Sequence, residues 1–468
     1  MADTIKSMIK KPKASVFRRA EIKRRSSVTG LFESTWFDVS ADVKTWGKVT
    51  NTIDAARRYK FTFGNLKLVM QNSAGKYNSN DSPTSLWYNY MTEQRTLVRI
   101  KAGFLKNTRR SDGVYVRDEF PSQTLWDEAI WDADASVWDA TQSSTVFKGI
   151  LSGDVFRSDK NDVAFNIKPL VSIFQDFPAR NLTGWTSTGL TASQFVTMVR
   201  DQTDGSGNYV FRPFFDDTTS TWDISTTSTV YSDLNTGTAV DVIDKTVWQV
   251  FEKLAEAENY VPFVSKNGTF KFVSRTAVDT TTIYEFHGAG SYDGEYGHTL
   301  KNIGSYAFKM SDFYSRVQVK WSEADTSTSY EVVETTMTVS AVNNAWALGS
   351  KTLAIENNYI PNASTAQTLA QQIYNDVSAL KKNLEFTTSF IPHLDLFDRF
   401  SVSYDPTEPT PGTLWDQNNW ADTVSGSEDL LWDPAAGDTI LLTGQEFKFL
   451  TFELDLDNFQ NKFIAREV

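Results

Sequence analysis

Cysteine is missing from this 468-residue chain, which excludes a disulfide framework and any thiolate metal site and implies no oxidising compartment. Histidine is nearly missing as well: His287, His298 and His393 stand apart, without the spacing of metal ligands, and each reads as a turn or strand residue rather than a base. No apolar run approaches the roughly 20 residues of a membrane-spanning helix. The basic start lacks the apolar stretch and cleavage site of a secretory signal, so the chain is expected to be soluble and unprocessed, with no membrane span. Catalytic constellations are also wanting. Gly-Ala-Gly at 288–290 has no Lys-Ser/Thr after it and is not a phosphate loop. Carboxylate pairs such as Glu285 and Asp293 are unavoidable among 58 acidic residues. The expectation is no enzyme and no cofactor.

What is present is a duplication. Thr124-Leu125-Trp126-Asp127 returns as Thr413-Leu414-Trp415-Asp416, with Trp131 and Trp138 following the first copy and Trp420 and Trp432 the second. The next Trp comes 5 positions on in both; the third comes 7 further in one and 12 in the other, a 5-residue insertion. Strand-like alternation flanks each block: Val98 and Ile100 before and Val163, Phe165 and Ile167 after the first, Phe400, Val402 and Tyr404 before and Phe452, Leu454 and Leu456 after the second. One β-module used twice accounts for this, with the glycine alignment open, since Gly149 or Gly153 can be matched to Gly444.

The six Trp-Asp pairs do not make a WD-repeat propeller, because five of them cluster in two places and Trp222-Asp223 stands alone, instead of recurring every 40 to 45 residues. Asp127, Asp132, Asp134 and Asp139, or Asp416, Asp422 and Asp433, offer oxygens to a hard cation but lack the order and fixed glycine of a calcium loop, so no metal site is assigned. Trp126, Trp131, Trp138, Trp415, Trp420 and Trp432 are the candidate interface residues, since aromatic anchors are common at interfaces; packing within the own module is the plain alternative for any one of them.

Charge is unevenly placed. Residues 1–25 carry nine Lys/Arg against Asp3 and Glu21, leaving 37 basic and 56 acidic residues in the remainder, a balance of −19. Such an arm suits a polyanion, an acidic surface of a neighbouring subunit, or a solubilising tail. The acidic body favours the subunit surface over nucleic acid.

The fold class expected is β-rich α+β, two similar β-barrel modules flanking a small α+β insert. The parts are a basic arm (1–30), a first module (31–170) with its Trp/Asp loop at 106–144, an insert (171–300), and a second module (301–468) with a helix at 365–381 and its Trp/Asp loop at 405–438. In the first module Phe61, Phe63, Leu66 and Leu68 alternate across Gly64-Asn65 as a hairpin. In the insert, a helix over 191–201 has Ser193 as a possible cap. A second, capped by Asp244, carries Val247, Trp248, Val250, Phe251, Leu254 and Ala255, and Lys266-Asn267-Gly268 forms a type I′ turn. In the second module Val317, Val319 and Trp321 form a strand, and Ser364 with Gln367 suggests a capping box.

This layout resembles the hub proteins of phage tails, namely the baseplate hub of contractile tails and the tail-associated hub domain of long non-contractile ones. The resemblance rests on Phe147-Lys148-Gly149-Ile150 to Ile167, on Thr246 to Val273, and on Ser315 to Val319 with Ala366 to Leu380 and Leu394 to Tyr404. It implies a structural virion protein at the tail tip or baseplate. Three copies would form a ring adapting the six-fold tail tube to a three-fold tip, spike or fibre, and its acidic channel would pass genomic DNA without binding it. The Trp/Asp loops and the basic arm depart from the family pattern. A distal tail ring protein and a glycan- or receptor-binding tail-tip module are the rival readings.

Overall fold

The computed structural model describes residues 15–26, 31–54, 60–77, 87, 90, 96–105, 108–109, 115–116, 142–152, 161–216, 221–231, 234, 240–275, 282–288, 300–308, 313–321, 351–360, 362–378, 381–396, 398–404, 440 and 442–468. Its first part contains β1 (Ser15–Arg24), β2 (Phe37–Asp38), β3 (Val43–Thr45), β4 (Lys48–Ile53), β5 (Phe61–Phe63), β6 (Leu66–Gln71) and β7 (Thr96–Leu105). A two-rung ladder of β8 (Thr108–Arg109) and β9 (Tyr115–Val116) follows, then β10 (Gln142–Leu151) and β11 (Asp162–Pro169). The middle holds β12 (Leu190–Thr191), helix α1 (Ala192–Arg200), β13 (Trp222–Ile224), β14 (Val230–Tyr231), helix α2 (Val247–Glu258), β15 (Tyr260–Val264) and β16 (Phe270–Ser274). The last part contains β17 (Thr282–Gly288), β18 (Leu300–Phe308), β19 (Arg316–Lys320), β20 (Thr352–Glu356), helix α3 (Ala363–Val377), β21 (Lys382–Ser389), β22 (Arg399–Tyr404), β23 (Leu442–Asp455) and β24 (Gln460–Glu467).

Two large sheets dominate. The first runs β2-β1-β7-β10-β11-β6-β3 and the second β17-β22-β23-β24-β21-β18. Ranked by chain position, the strands β1, β3, β6, β7, β10 and β11 of the first sheet match β17, β18, β21, β22, β23 and β24 of the second, and the spatial order of the two sets is the same. Equivalent pairs are antiparallel in both sheets. The exception is the pair at one side, where β1 meets β7 antiparallel and β17 meets β22 parallel. The β7–β10 ladder and the β22–β23 ladder both carry an irregularity, at Val146 and beside Ser403 and Gly444, so the bulge of one copy answers the bulge of the other. By this criterion neither Gly149 nor Gly153 is the partner of Gly444.

Alternation fixes the buried faces. Val163, Phe165 and Ile167 of β11 point inward while Ala164 and Asn166 point out, and Leu384 and Phe386 of β21 do the same in the second sheet. Both inner faces feed one apolar core. In the second sheet that core is a stack of rings, with Phe400 and Phe449 centroids 4.2 Å apart and Phe449 and Phe463 4.6 Å apart; each such pair adds about 1 kcal/mol beyond its buried area. A second core, centred on Phe174 among Phe211, Phe215, Trp222, Phe251 and Phe270, holds the middle unit.

The structure departs from the expected division in four respects. The stretch assigned to the basic arm, outside the first module, includes β1, which pairs with β7 along all of Ser15–Arg24. Gly64 does not turn a hairpin: β5 pairs with β4 and, through it, joins the second sheet, whereas β6 stays in the first. A β-carbon at Gly64 would lie 2.7 Å from the Thr50 carbonyl oxygen, so the chain crosses between sheets where only glycine fits. β19, β20 and α3 lie between second-sheet strands in sequence but pack into the middle unit's core, because Leu369, Ala370, Ile373, Tyr374 and Val377 form an apolar face that the already covered sheet does not need. Finally, neither sheet is closed by a hydrogen-bonded ladder between its own edge strands among the described residues, though in the second sheet β17 and β18 meet, where a β-carbon at Gly288 would lie 2.8 Å from Leu300 Cδ2.

Helix caps also differ from the expected ones. Thr191 and Thr246 cap α1 and α2 through reciprocal boxes with Gln194 and Gln249, and Asn362 caps α3 by accepting the Thr365 amide at 2.9 Å. Ser193, Asp244 and Ser364 are not the capping residues.

Candidate assembly surface and the joints behind it

All six candidate interface tryptophans, Trp126, Trp131, Trp138, Trp415, Trp420 and Trp432, lie outside the described residues, as do the Asp127 to Asp139 and Asp416 to Asp433 carboxylates. The strands that carry them are described. One Trp/Asp block belongs to the connection between β7 and β10 and the other to that between β22 and β23, and both connections join antiparallel neighbours at equivalent places in their sheets. The first connection is shorter than expected, since Gln142, Ser143 and Ser144 already pair with Phe104, Gly103 and Ala102.

The basic residues of β1 and its continuation are engaged within the fold. Arg19 pairs with Asp38 at 2.8 Å, and Arg24 pairs with Glu33 at 2.8 Å while lying 4.6 Å from the Phe37 ring centroid. Lys23 and Arg99 both lie against Trp36, Arg99 at 4.1 Å, and Arg25 sits between Phe32 and Phe214. Cation–aromatic contacts of this kind are worth about 1 kcal/mol each. Over residues 18–25 the charge therefore serves internal packing; Lys6, Lys10, Lys11 and Lys13 lie outside the described residues.

Three joints fix the parts to one another. In the first, β23 runs past the end of β22, and its segment Thr451–Asp455 pairs with Thr52–Lys48 of β4. The turn that follows accepts the first sheet's chain: Asp457 receives the Trp46 amide at 2.9 Å and the Gly47 amide at 3.0 Å, and Arg18 donates to the Leu456 carbonyl while lying 4.8 Å from the Trp46 and Phe459 ring centroids. Lys48 adds ion pairs to Glu453 and Asp455.

The second joint holds the middle unit to the first sheet. Lys148, whose side chain is only 2% exposed, donates to Asp216 at 2.8 Å. Burial pulls its ammonium below the ordinary range, and Asp216 counters that. A β-carbon at Gly268 would lie 2.5 Å from Lys148 Cδ, so the hairpin tip clears the lysine stem only because it carries glycine there. Gly268 has φ +88 and Asn267 is not in the positive region, so the turn is not type I′; Gly268 donates to the Ser265 carbonyl at 2.8 Å in a turn closed by a left-handed glycine.

The third joint holds the same tip to the second sheet. Lys266 Nζ donates to the Pro392 and Leu394 carbonyls at 2.9 and 3.0 Å, and its amide donates to Asp395 at 3.2 Å. The Asp395 amide donates to Asp398 at 2.6 Å. Burial lowers Lys266 to about 8, against the pull of Asp395 and Asp398. Burial, reinforced by Asp395, raises the Asp398 carboxyl to about 7. Sequence reading missed this group because its members are 129 positions apart and each looks like an ordinary turn residue.

The two lateral edges of the second sheet differ in exposure. β18 has a hydrogen-bonded partner strand on one side among the described residues, and of its nine residues only Leu300 is buried, with Phe308 51% exposed. Of the histidines, His287 is buried in β17 with Glu285 3.5 Å away, and His393 lies with its ring 5.4 Å from that of Tyr284. His298 and Asp293 lie outside the described residues. Among the described residues no three His, Cys, Asp or Glu side chains converge as a metal site, and no helix is long and apolar enough to cross a membrane.

No protein-family model matches the sequence, and no curated protein matches it. Among solved structures, the chain is similar to a tail protein from Neisseria meningitidis MC58 at 10% identity, with 96% of each chain covered and a TM-score of 0.45. A 43 kDa tail protein of prophage MuSo2 from Shewanella oneidensis is similar at 11% identity, with 96% of this chain and 98% of that one covered and a TM-score of 0.44. Prophage tail protein gp18 from Listeria monocytogenes EGD-e is similar at 7% identity, with coverage of 96% and 94% and a TM-score of 0.44.

Proposed function

We propose that this chain is a structural virion protein, a phage tail hub, in which three copies close a ring of six equivalent β-modules between a six-fold tail tube and a three-fold tip. The observation that carries this reading is the shared strand order of the two sheets in one chain. A ring of three identical chains has only three equivalent places for any single surface. A chain that contains the same sheet twice offers six, at the level of the backbone, while the sequences around the two sheets remain free to differ. The middle unit and the Trp/Asp loops are then the parts that need not obey six-fold symmetry.

The work of such a ring is mechanical. Contacts between copies fix alignment, the six tryptophans of the two loops serve as lateral anchors, and the net charge of −12 discourages DNA from adhering as it passes. No bond is made or broken, and no cofactor is required. The partners are further copies of the chain, tube or distal tail proteins on one side, and tip, spike or fibre proteins on the other.

Native mass spectrometry with electron microscopy of the purified chain tests this. The expected result is a trimer with six sheets around a central opening. A hexamer presenting one ring of sheets, or a stable monomer that also fails to assemble with tail proteins, would overturn the reading.

A further inference from the structure

The β15–β16 hairpin tip is one place where the middle unit touches the second sheet, and it does so through the half-buried ionisable groups Lys266, Asp395 and Asp398. Lys266 gives its Nζ protons to the neutral carbonyls of Pro392 and Leu394, and the two carboxylates beside it, Asp395 and Asp398, are joined through the Asp395 amide. Among the described residues, the charged groups that act on Asp398 are Asp395, Lys266 and Lys271. Asp395 and Asp398 come from the loop before β22, and Lys271 from β16 acts on Asp398. Lys148 of β10, held by Asp216, lies against Gly268 of the same tip. His393, in the same loop, turns its ring toward Tyr284.

We propose that this joint is a proton-operated latch: one proton on Asp398 keeps the hairpin tip seated on the second sheet, and its loss loosens that contact alone. With Asp398 protonated, the Lys266 ammonium faces one carboxylate and the buried cluster is neutral. Ionising Asp398 places a second carboxylate in the same half-buried space, where two of the three Lys266 N–H donors are already given to carbonyl oxygens.

The direction of the pH effect follows from what opening does to each group. Asp398 holds its proton up to about 7 in the closed joint, whereas an exposed carboxyl gives it up near 3.8. Closure is therefore favoured fully below that lower value, and the advantage is lost as pH rises through 7. Lys266, lowered to about 8, acts in the opposite sense on the alkaline side: above 8 the closed joint need not bury a cation, and closure recovers. The latch is loosest between these two values.

Hydrogen exchange of the full chain at pH 5, 6 and 7, corrected for the intrinsic exchange rate, reads this directly. Amides of 260–270 and 390–400 are expected to open about fivefold less often at pH 6 than at pH 7 and about fiftyfold less at pH 5, while α1 is unaffected. Asp398→Asn should abolish the slope at both segments, and His393→Gln should leave it. Equal opening at pH 5 and 7, a slope shared by α1, a slope that survives Asp398→Asn, or one that vanishes in His393→Gln would each overturn the latch. Should Asp398→Asn not fold, the contrast between the joint and α1 in the unaltered chain decides the matter by itself.

Discussion

Asp457 accepts the backbone amide of Gly47 across 410 positions of sequence, Oδ2 to N at 3.0 Å. Gly47 has φ +70, and a β-carbon there would lie 2.6 Å from the Lys67 carbonyl oxygen, so the chain turns at a point where no side chain fits. With the Trp46 amide on its other oxygen and Arg18 3.7 Å away, this carboxylate ties the last hairpin of the second sheet to the first.

Asp457→Ala is expected to destabilise the protein by about 2 kcal/mol, the usual effect of removing a charged acceptor from two amides. Asp457→Asn, which keeps one acceptor oxygen, should lose about half of that. Urea unfolding with an unchanged m-value checks both; a loss under about 0.3 kcal/mol for the alanine variant would mean that β4 and β23 hold the sheets together without this turn.

The capping assignment separates two neighbouring residues. Thr246 accepts the Gln249 amide and Gln249 returns the bond to the Thr246 amide. Thr246→Ala should therefore cost about 1 kcal/mol and Asp244→Ala little, since only the first leaves an N-terminal amide without its partner. Thermal or denaturant unfolding of the two variants side by side gives the answer.

Glu258 receives the Tyr231 hydroxyl at 2.8 Å, and burial raises its carboxyl above the ordinary range despite that bond. A raised carboxyl lends stability that is complete below its unfolded pKa and lost as pH rises through the folded one. Glu258→Gln keeps an acceptor for Tyr231 and removes the buried charge. It should match the parent in stability at pH 4 and exceed it at pH 8, measured as denaturation midpoints; a variant less stable at pH 8 would show that the ionised pair holds the middle unit.

The Trp/Asp loops can be tested for assembly separately from folding. Trp131→Ala with Trp420→Ala is expected to weaken self-association at least tenfold, seen by sedimentation on dilution, with an unfolding midpoint within about 0.5 kcal/mol of the parent in the dissociated state. Unchanged association with reduced stability would place these indoles in the packing of their own modules.

Much of the local structure was readable because it depends on period and side-chain chemistry. Val163, Phe165 and Ile167 announce a half-buried strand at any place in any sheet, and the spacing of Val247, Val250, Phe251 and Leu254 announces a helix face. The caps were expected at the lone polar residues Ser193 and Asp244, whereas the stronger signal is Thr followed three residues later by Gln, at Thr191 and Thr246. The joints were not readable: nothing local in Lys266 says that it will be buried beside Asp395 and Asp398.

By itself, then, the sequence determined many of the strands and helices and their inward faces, and it marked a duplicated Thr-Leu-Trp-Asp block whose two copies fall between strands that occupy matching places. Tertiary structure alone decided membership. β4 and β5 go to the second sheet and β19, β20 and α3 to the middle unit, because a period of two specifies which face is buried but backbone hydrogen bonds, alike for every residue, do not say which neighbour is chosen. That choice was made by shape: by the glycines at 47 and 64 that let chains cross, and by the apolar faces left uncovered once each sheet had formed.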